Sequence, residues 1–495
     1  MSEVNVIIKR LFGAASLALV GRLFAAFLGF ITNIVMAWLY GAERMGTYFI
    51  ALSILTLASP FCSLGLDSGL LRFSAALEAE GKMEELKRIF WPAIGYVFLS
   101  GWLAVVGIYA YGGWLAGRFH SPHLTLVLNV MVLALPISLV SALLCETIRG
   151  LGGAKWAVVH GDVLLPLSFL VLLVGLGQAG FAVQDQSRLL ALAYLGSTFL
   201  GLIFLFGWSK PIMPPNEPGA ATTSFLDLLR YSFPLFLSSI LWLALSGVDS
   251  LILGLFSYPD DVAYYQVAAK TALLVTFPLQ AVNAVVTPLF AKFHQQGDMA
   301  GLENVAQATS RWMYFVALPL ALLTLLLSPE ILQLFGGSFA KARFALGVLA
   351  MGQLVNVACG SVGFILAMTG NQWTLIRTLA AAASLAVPMM ALGAAAFGLY
   401  GLALASAGTT AGINILMAWG TWRRLGIKAY AQKVRWANLG GLMGISLFYL
   451  ARPYLGAWGG AACFSLGYLA LTAKIIKEEL SGLLKVHPRH GKLLR

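Results

Sequence analysis

The sequence predicts an all-α polytopic membrane protein of about fourteen transmembrane helices, and three observations carry that prediction. Composition is the first: 59% of the 495 residues are hydrophobic and 11% charged, against about 25% charged in soluble domains, with a mean hydropathy of +0.84. Patterning is the second. Apolar runs long enough to cross a bilayer, which takes about 20 helical residues, follow one another with short polar turns between them. They lie at roughly 11–39, 47–70, 91–115, 124–146, 157–177, 189–208, 231–256, 263–289, 312–328, 344–367, 374–396, 400–420, 437–451 and 456–473. Charge placement is the third. With the amino terminus in the cytoplasm, the inner loops and both termini hold 24 of the 32 Lys and Arg residues and the outer loops hold six, which sets the orientation with both termini inside. The remaining two, Arg22 and Lys270, fall inside apolar runs. The net charge of +12 therefore follows topology and does not point to nucleic acid.

Taken in order, the first run is too long for the core of a signal peptide and reads as a retained helix. Residues 1–208 form a first half of six crossings. Residues 209–230 carry Pro211, Pro214, Pro215 and Pro218, which suit neither helix nor membrane, and read as a cytoplasmic linker. Residues 231–422 form a second half that repeats the first at an offset of 217, with Tyr48 returning as Tyr265, Gly153 as Gly370 and Trp156 as Trp373. Six crossings per repeat is an even number, so the halves share one orientation. Residues 423–473 add a two-helix hairpin flanked by basic clusters. The tail, 474–495, places Ile475, Ile476, Leu480, Leu483 and Leu484 at helical spacing and is expected on the inner interface. Cys62, Cys145, Cys359 and Cys463 all fall in apolar runs and imply no disulfide framework.

Chemistry is sought at the charges, because an ionised Asp or Lys in mid-membrane costs about 2.5–3.5 kcal/mol on insertion scales. The hairpin from Tyr231 to Phe290 holds two of them. Asp249 and Lys270 lie at similar depth on either side of the turn SYPDD, and two readings stand: a salt bridge that locks the hairpin, or a substrate or coupling site. Arg22 lies about halfway along the first run and is either a site residue or an arginine satisfied inside the bundle. In GLDSGLLRF, Asp67 and Arg72 are within a turn and a half and read as an interfacial ion pair or a coupling and gating pair. Glu146 with Arg149, and His160 with Asp162, read as rim charges. His120 and His123 have no further ligands that would complete a metal site. The sequence holds no phosphate loop, GxSxG or HExxH pattern, and its outer loops are short for a glycan polymerase or ligase. Transport is the reading, not catalysis.

Several short segments, in order, resemble the multidrug/oligosaccharidyl-lipid/polysaccharide exporter superfamily and its Wzx-like polysaccharide flippases. They are LYGAERMGTYFIALSIL, GLDSGLLRF at 65–73, IRGLGGAKW at 148–156, FPLFLSSILWLALSGVDSLILGLFS at 233–257 followed by AYYQVAAK, LFGGSFAKA at 334–342, LAMTGNQW at 366–373 and FGLYGLALASA at 397–407. The resemblance implies a monomeric flippase of the bacterial cytoplasmic membrane. It would turn undecaprenyl-pyrophosphate-linked oligosaccharide outward by alternating access, without cofactor, drawing on a proton or sodium gradient and working beside polysaccharide polymerase machinery. It also implies a cationic cavity, with Arg22 and Lys270 at the matching positions and Asp249 in the helix-7 motif. A lipid II flippase and a multidrug or metabolite exporter of the same superfamily are the alternatives. Glu43, Arg44 and Met45 only approximate the family pattern at the first outer turn.

Overall fold

The computed structural model describes residues 3–178, 186–208, 224–432 and 434–485. The prolines of the linker and the end of the tail lie outside them. Among the described residues the regular structure is helical. Ten helices form the first part of the chain: α1 (Glu3–Ser63), α2 (Leu66–Ala79), α3 (Met83–Arg118), α4 (Leu124–Met131), α5 (Ala134–Ile148), α6 (Ala154–Val158), α7 (Leu165–Gln178), α8 (Ser187–Trp208), α9 (Phe225–Ser246) and α10 (Asp249–Phe256). Eight follow: α11 (Pro259–Ala272), α12 (Phe277–Gln295), α13 (Met299–Leu326), α14 (Ser328–Gln333), α15 (Arg343–Cys359), α16 (Val362–Met368), α17 (Gln372–Leu425) and α18 (Arg435–Lys485).

Nine helical stretches among the described residues are long and apolar enough to cross a membrane, or ten if the bent pair Pro259–Asn283 and Val286–Gln295 counts as one. The longest, Gln372–Leu425, has 54 residues and would measure ~81 Å if straight, against a hydrocarbon core of about 30 Å. It is not straight. Its backbone leaves the helical region at Gly398 (φ 54°), and α1 and α18 do the same at Gly41 (φ 76°) and Gly456 (φ 70°). The stretch Ala134–Gln178 breaks at Gly152 (φ 76°). A positive φ is strained for residues with a Cβ and free for glycine. Each of these breaks falls at the junction of two predicted apolar runs.

Elsewhere the sequence predicted continuous helices and the structure divides them. The run 231–256 is interrupted at Gly247 and Val248, 263–289 by a tight turn over Leu273–Thr276, 344–367 at Gly360 and 124–146 at Val132 and Leu133. Hydropathy averages over a window and cannot register a break inside an apolar run.

The chain forms two compact units, Met1–Gln266 with Met390–Leu399, and Val267–Met389 with Tyr400–Arg495. The division falls inside α11, so α9 and α10 cluster with the helices of the first half. Close approach explains why: α9 lies on α2, and a Cβ at Gly65 would stand 2.6 Å from the Ser232 carbonyl oxygen while one at Gly69 would overlap the Ser232 hydroxyl. Small residues four apart are how membrane helices gain backbone contact where lipid offers no hydrophobic drive. In the second unit α13 packs on α15 and α18, and α12 on α16.

Helix α3 shows how apolar faces are told apart. It buries Ile89, Ala93, Val97, Gly101 and Val105, each four residues from the last, and exposes Phe98, Leu99, Trp102, Leu103, Val106 and Tyr109. Both stripes are apolar, and large side chains such as Leu86 and Phe90 are buried too; what marks the protein-facing stripe is its small residues, Ala93 and Gly101, which let a neighbouring helix approach. A Cβ at Gly101 would lie 2.9 Å from Pro136 Cα on α5, whereas one at Gly107 would meet nothing within 4 Å. Gly101→Ala should therefore destabilise by about 1–3 kcal/mol and Gly107→Ala should be neutral or stabilising. Thermal unfolding of the purified variants in detergent checks this, and equal midpoints for the two would refute the assigned contact face.

Candidate functional site

Two π-helical turns, Arg149–Gly153 between α5 and α6 and Val159–Leu164 between α6 and α7, organise a charge cluster in the first unit. A π turn inserts one residue into the ladder and re-aims the side chains around it, and such turns recur at functional sites. Glycine seats both. A Cβ at Gly150 would overlap Ser74 Oγ and come within 2.7 Å of the Leu71 carbonyl oxygen, so the first turn closes directly on α2. At the second, a Cβ on Gly21 of α1 would lie 2.7 Å from Val158 Cγ1 and 3.4 Å from Asp162 Oδ2.

These approaches gather residues from four parts of the chain. The Arg149 guanidinium pairs with Glu146 at 2.8 Å. The Asp162 carboxylate lies within electrostatic reach of the guanidinium groups of both Arg22 and Arg149, and Glu146 within that of Asp67 at the start of α2. The result is a chain of charges, Arg22, Asp162, Arg149, Glu146 and Asp67, that alternates in sign until its last member. Arg22 and Arg149 are exposed, while Asp162, Glu146 and Asp67 are half-buried. His160 is buried beside them, packed so that a Cβ at Gly201 of α8 would lie 2.9 Å from its Nε2. That nitrogen has no hydrogen-bond partner among the described residues.

The structure therefore brings Arg22 within electrostatic reach of an acid, Asp162, that the sequence reading assigned to the rim. Glu146 and Arg149 do pair, as their spacing predicts. The pair predicted between Asp67 and Arg72 does not form: five residues apart on a helix of 3.6 residues per turn, they point to different faces. Arg72 instead donates to the Tyr231 hydroxyl at 2.6 Å and lies 4.6 Å from the centre of that ring, bridging α2 to α9. Missed in the sequence was the joining of 146–149 and 160–162 to Arg22. Glycines beside each segment (GLGG, HGD and VGR) were the only available signal.

The second group of predicted residues sits at helix ends. Asp249 opens α10 just after the break at Gly247 and Val248, and Lys270 occupies the last turn of α11, with its side chain exposed. A carboxylate at a helix N-terminus and an ammonium at a C-terminus both complement the helix dipole. The Tyr265 hydroxyl donates to Asp249 Oδ2 at 2.5 Å, and the Gln266 amide to Ser250 Oγ at 2.5 Å. Two adjacent rungs thus tie α10 to α11.

Broken apolar helices, lipid-facing aromatic and aliphatic side chains and a charge cluster inside the helical unit define a polytopic membrane transporter. The sequence pattern of the polysaccharide biosynthesis protein family matches residues 13–294, more than half of the chain, and that of the MatE family matches residues 234–392. The chain belongs to the polysaccharide biosynthesis protein family, within the exporter superfamily that its motifs resemble. It is 23% identical over 371 residues to the succinoglycan biosynthesis transport protein ExoT of Rhizobium meliloti, covering 72% of this chain and 70% of that one. It is 21% identical over 426 residues to the probable low-salt glycan biosynthesis flippase Agl15 of Haloferax volcanii, covering 86% of each. Among solved structures, the lipid II flippase MurJ in an inward closed conformation has the same fold, with a TM-score of 0.73 at 14% identity over 93% of this chain and 99% of that one.

Tyr265 is buried to 1% exposure, so Tyr265→Phe removes a partner of Asp249 where water cannot replace it, at about 1–3 kcal/mol. Replacing both ends, Tyr265→Phe with Asp249→Leu, should recover most of that loss, because no acceptor is then left stranded. Unfolding midpoints of both single variants, Tyr265→Phe and Asp249→Leu, and of the double measure this. A double variant that falls by the sum of the singles would show that the rung contributes nothing.

Proposed function

We propose that this protein is a flippase that moves undecaprenyl-pyrophosphate-linked oligosaccharide from the inner to the outer leaflet of a bacterial cytoplasmic membrane by alternating access. The observation that carries the reading is an exposed guanidinium, Arg22, within electrostatic reach of the Asp162 carboxylate in a chain whose family assembles polysaccharides. A pyrophosphate crossing a low-dielectric interior needs cations, and arginine offers its oxygens two parallel donors. The polyprenyl tail can remain in lipid, so only sugar and phosphate need a polar path. Both named relatives belong to glycan assembly. Lys270, exposed on its helix end, is the second proposed contact to the headgroup, and Asp249, Asp67 and Arg72 are proposed coupling or gating residues. A proton or sodium gradient is the proposed drive, and polymerase machinery the proposed neighbour.

Counting each glycine-broken stretch as two crossings and the bent pair as one brings the total to fourteen. We read these as six plus six in parallel orientation, with the 209–230 linker between halves and a final hairpin over 423–473. Cysteines introduced at 211–220 or 478–492 should then react with impermeant thiol reagents only from the cytoplasmic side. Labelling from outside would reverse the orientation.

A second reading, lipid II as cargo, is favoured by the likeness to MurJ over 93% of this chain. The two separate in a strain lacking the gene: an oligosaccharide-linked polyprenyl pyrophosphate accumulates on the inner leaflet under the first reading, lipid II under the second. Under either, Arg22→Lys keeps charge but loses the planar fork and should retain partial export, whereas Arg22→Ala should abolish export at normal protein levels. Full export by Arg22→Ala removes this residue from the site.

A further inference from the structure

The first turns of α17 and its last turns line a cleft of about 600 Å³ in the second unit. Three arginines face it, Arg377 from the start of the helix and Arg423 and Arg424 from its end, together with Thr374, Thr378 and Trp419. No carboxylate is among its lining residues. Like charges around one cleft repel, and no acid among the described lining residues offsets them, in contrast to the charge cluster of the first unit. The depth of the cleft is marked by aromatics. Arg423 lies 5.0 Å from the centre of the Trp419 ring, and Trp419, Trp422 and Trp373 are 50%, 50% and 72% exposed, the placement of a membrane-interface belt. Further from the helix ends the lining turns apolar, at Ala381 and Leu416. A cationic mouth over an apolar floor, opening at headgroup level, has the profile of a phosphate attached to an acyl chain.

We propose that this cleft binds the headgroup of an anionic phospholipid that resides with the protein and is not its cargo. The leaflet is that of the basic loops, the cytoplasmic one on the orientation proposed above; the site itself does not depend on that reading. Basic pockets between membrane helices recognise such headgroups, each Lys or Arg contributing about 1 kcal/mol at the surface.

The test is native mass spectrometry of the full-length protein in detergent, titrated with phosphatidylglycerol. Phosphatidylglycerol should bind in preference to phosphatidylcholine, Arg424→Gln should weaken it about fivefold, and Arg377→Gln with Arg423→Gln about thirtyfold. Millimolar inorganic phosphate should not displace the lipid, because it lacks the apolar part. Equal retention of phosphatidylcholine, unchanged binding in these variants, displacement by inorganic phosphate or displacement by undecaprenyl pyrophosphate each overturns the proposal, the last by making the cleft a cargo site. If the double variant does not fold, the single Arg424→Gln decides. Binding in detergent is read without transport, so a protein that holds phosphatidylglycerol and flips no glycan lipid refutes the function above and leaves this site standing.

Discussion

Hydrocarbon can satisfy neither an open backbone hydrogen bond nor a bare charge, and in this protein the two problems are solved at the same places. Asp67 lies in the first turn of α2, just after Leu64 and Gly65 leave the helical region. Asp249 opens α10 after an interrupted stretch, Lys270 closes α11 before another, and Arg149 and Asp162 lie in the two π turns. A helix end carries amides or carbonyls without an intrahelical partner, and a side chain of the complementary sign is favoured there by the helix dipole. The charge in turn gains partners that a continuous helix would not offer. Arg22 differs, since it sits within an unbroken part of α1, and the acid within its electrostatic reach, Asp162, comes from another part of the chain.

Several glycines away from the hinges Gly41, Gly152 and Gly456, where a Cβ would meet nothing within 4 Å, are contact points. A Cβ at Gly46 would overlap the carbonyl oxygen of Pro259, one at Gly254 would lie 2.9 Å from the Phe119 ring, and Gly65, Gly69 and Gly150 meet neighbouring helices as closely. Those residues belong to the short segments that carry the family resemblance. Such segments are degenerate for a physical reason: a close approach fixes one small residue and leaves its neighbours, which face lipid, free to vary among large apolar types.

Several ends of the predicted apolar runs were legible in the sequence because hydropathy falls where the structure has positive-φ glycines, as at Gly41, Gly398 and Gly456. The internal breaks were not. Gly247 and Gly360 stand inside apolar runs, where a glycine reads equally well as a packing residue. The candidate site was legible one residue at a time: Arg22, Asp249 and Lys270 stand out against apolar neighbours. Their partners did not stand out. Tyr265 and Tyr231 look like ordinary aromatic residues of apolar helices, and they receive a carboxylate and a guanidinium through contacts 16 and 159 residues apart in sequence. Spacing along one helix predicted the Glu146 and Arg149 pair correctly because three residues bring side chains to one face, and failed for Asp67 and Arg72 because five do not.

The two arginine clusters differ in what surrounds them, and that difference bears on what each can do. Arg22 and Arg149 are set among Asp162, Glu146 and Asp67, so an anion that binds there must compete with carboxylates already present. Such a site holds its ligand weakly and can exchange partners as helices move, which suits a cargo that has to be released. Arg377, Arg423 and Arg424 have no competing acid on the walls of their cleft. A site of that kind gains from an anion in every conformation that preserves the cleft, and a ligand bound equally in all states shifts none of them. Exchangeable cations suit transport and uncompensated ones suit a resident lipid, so the placement of acids, more than the placement of arginines, separates the two proposed roles.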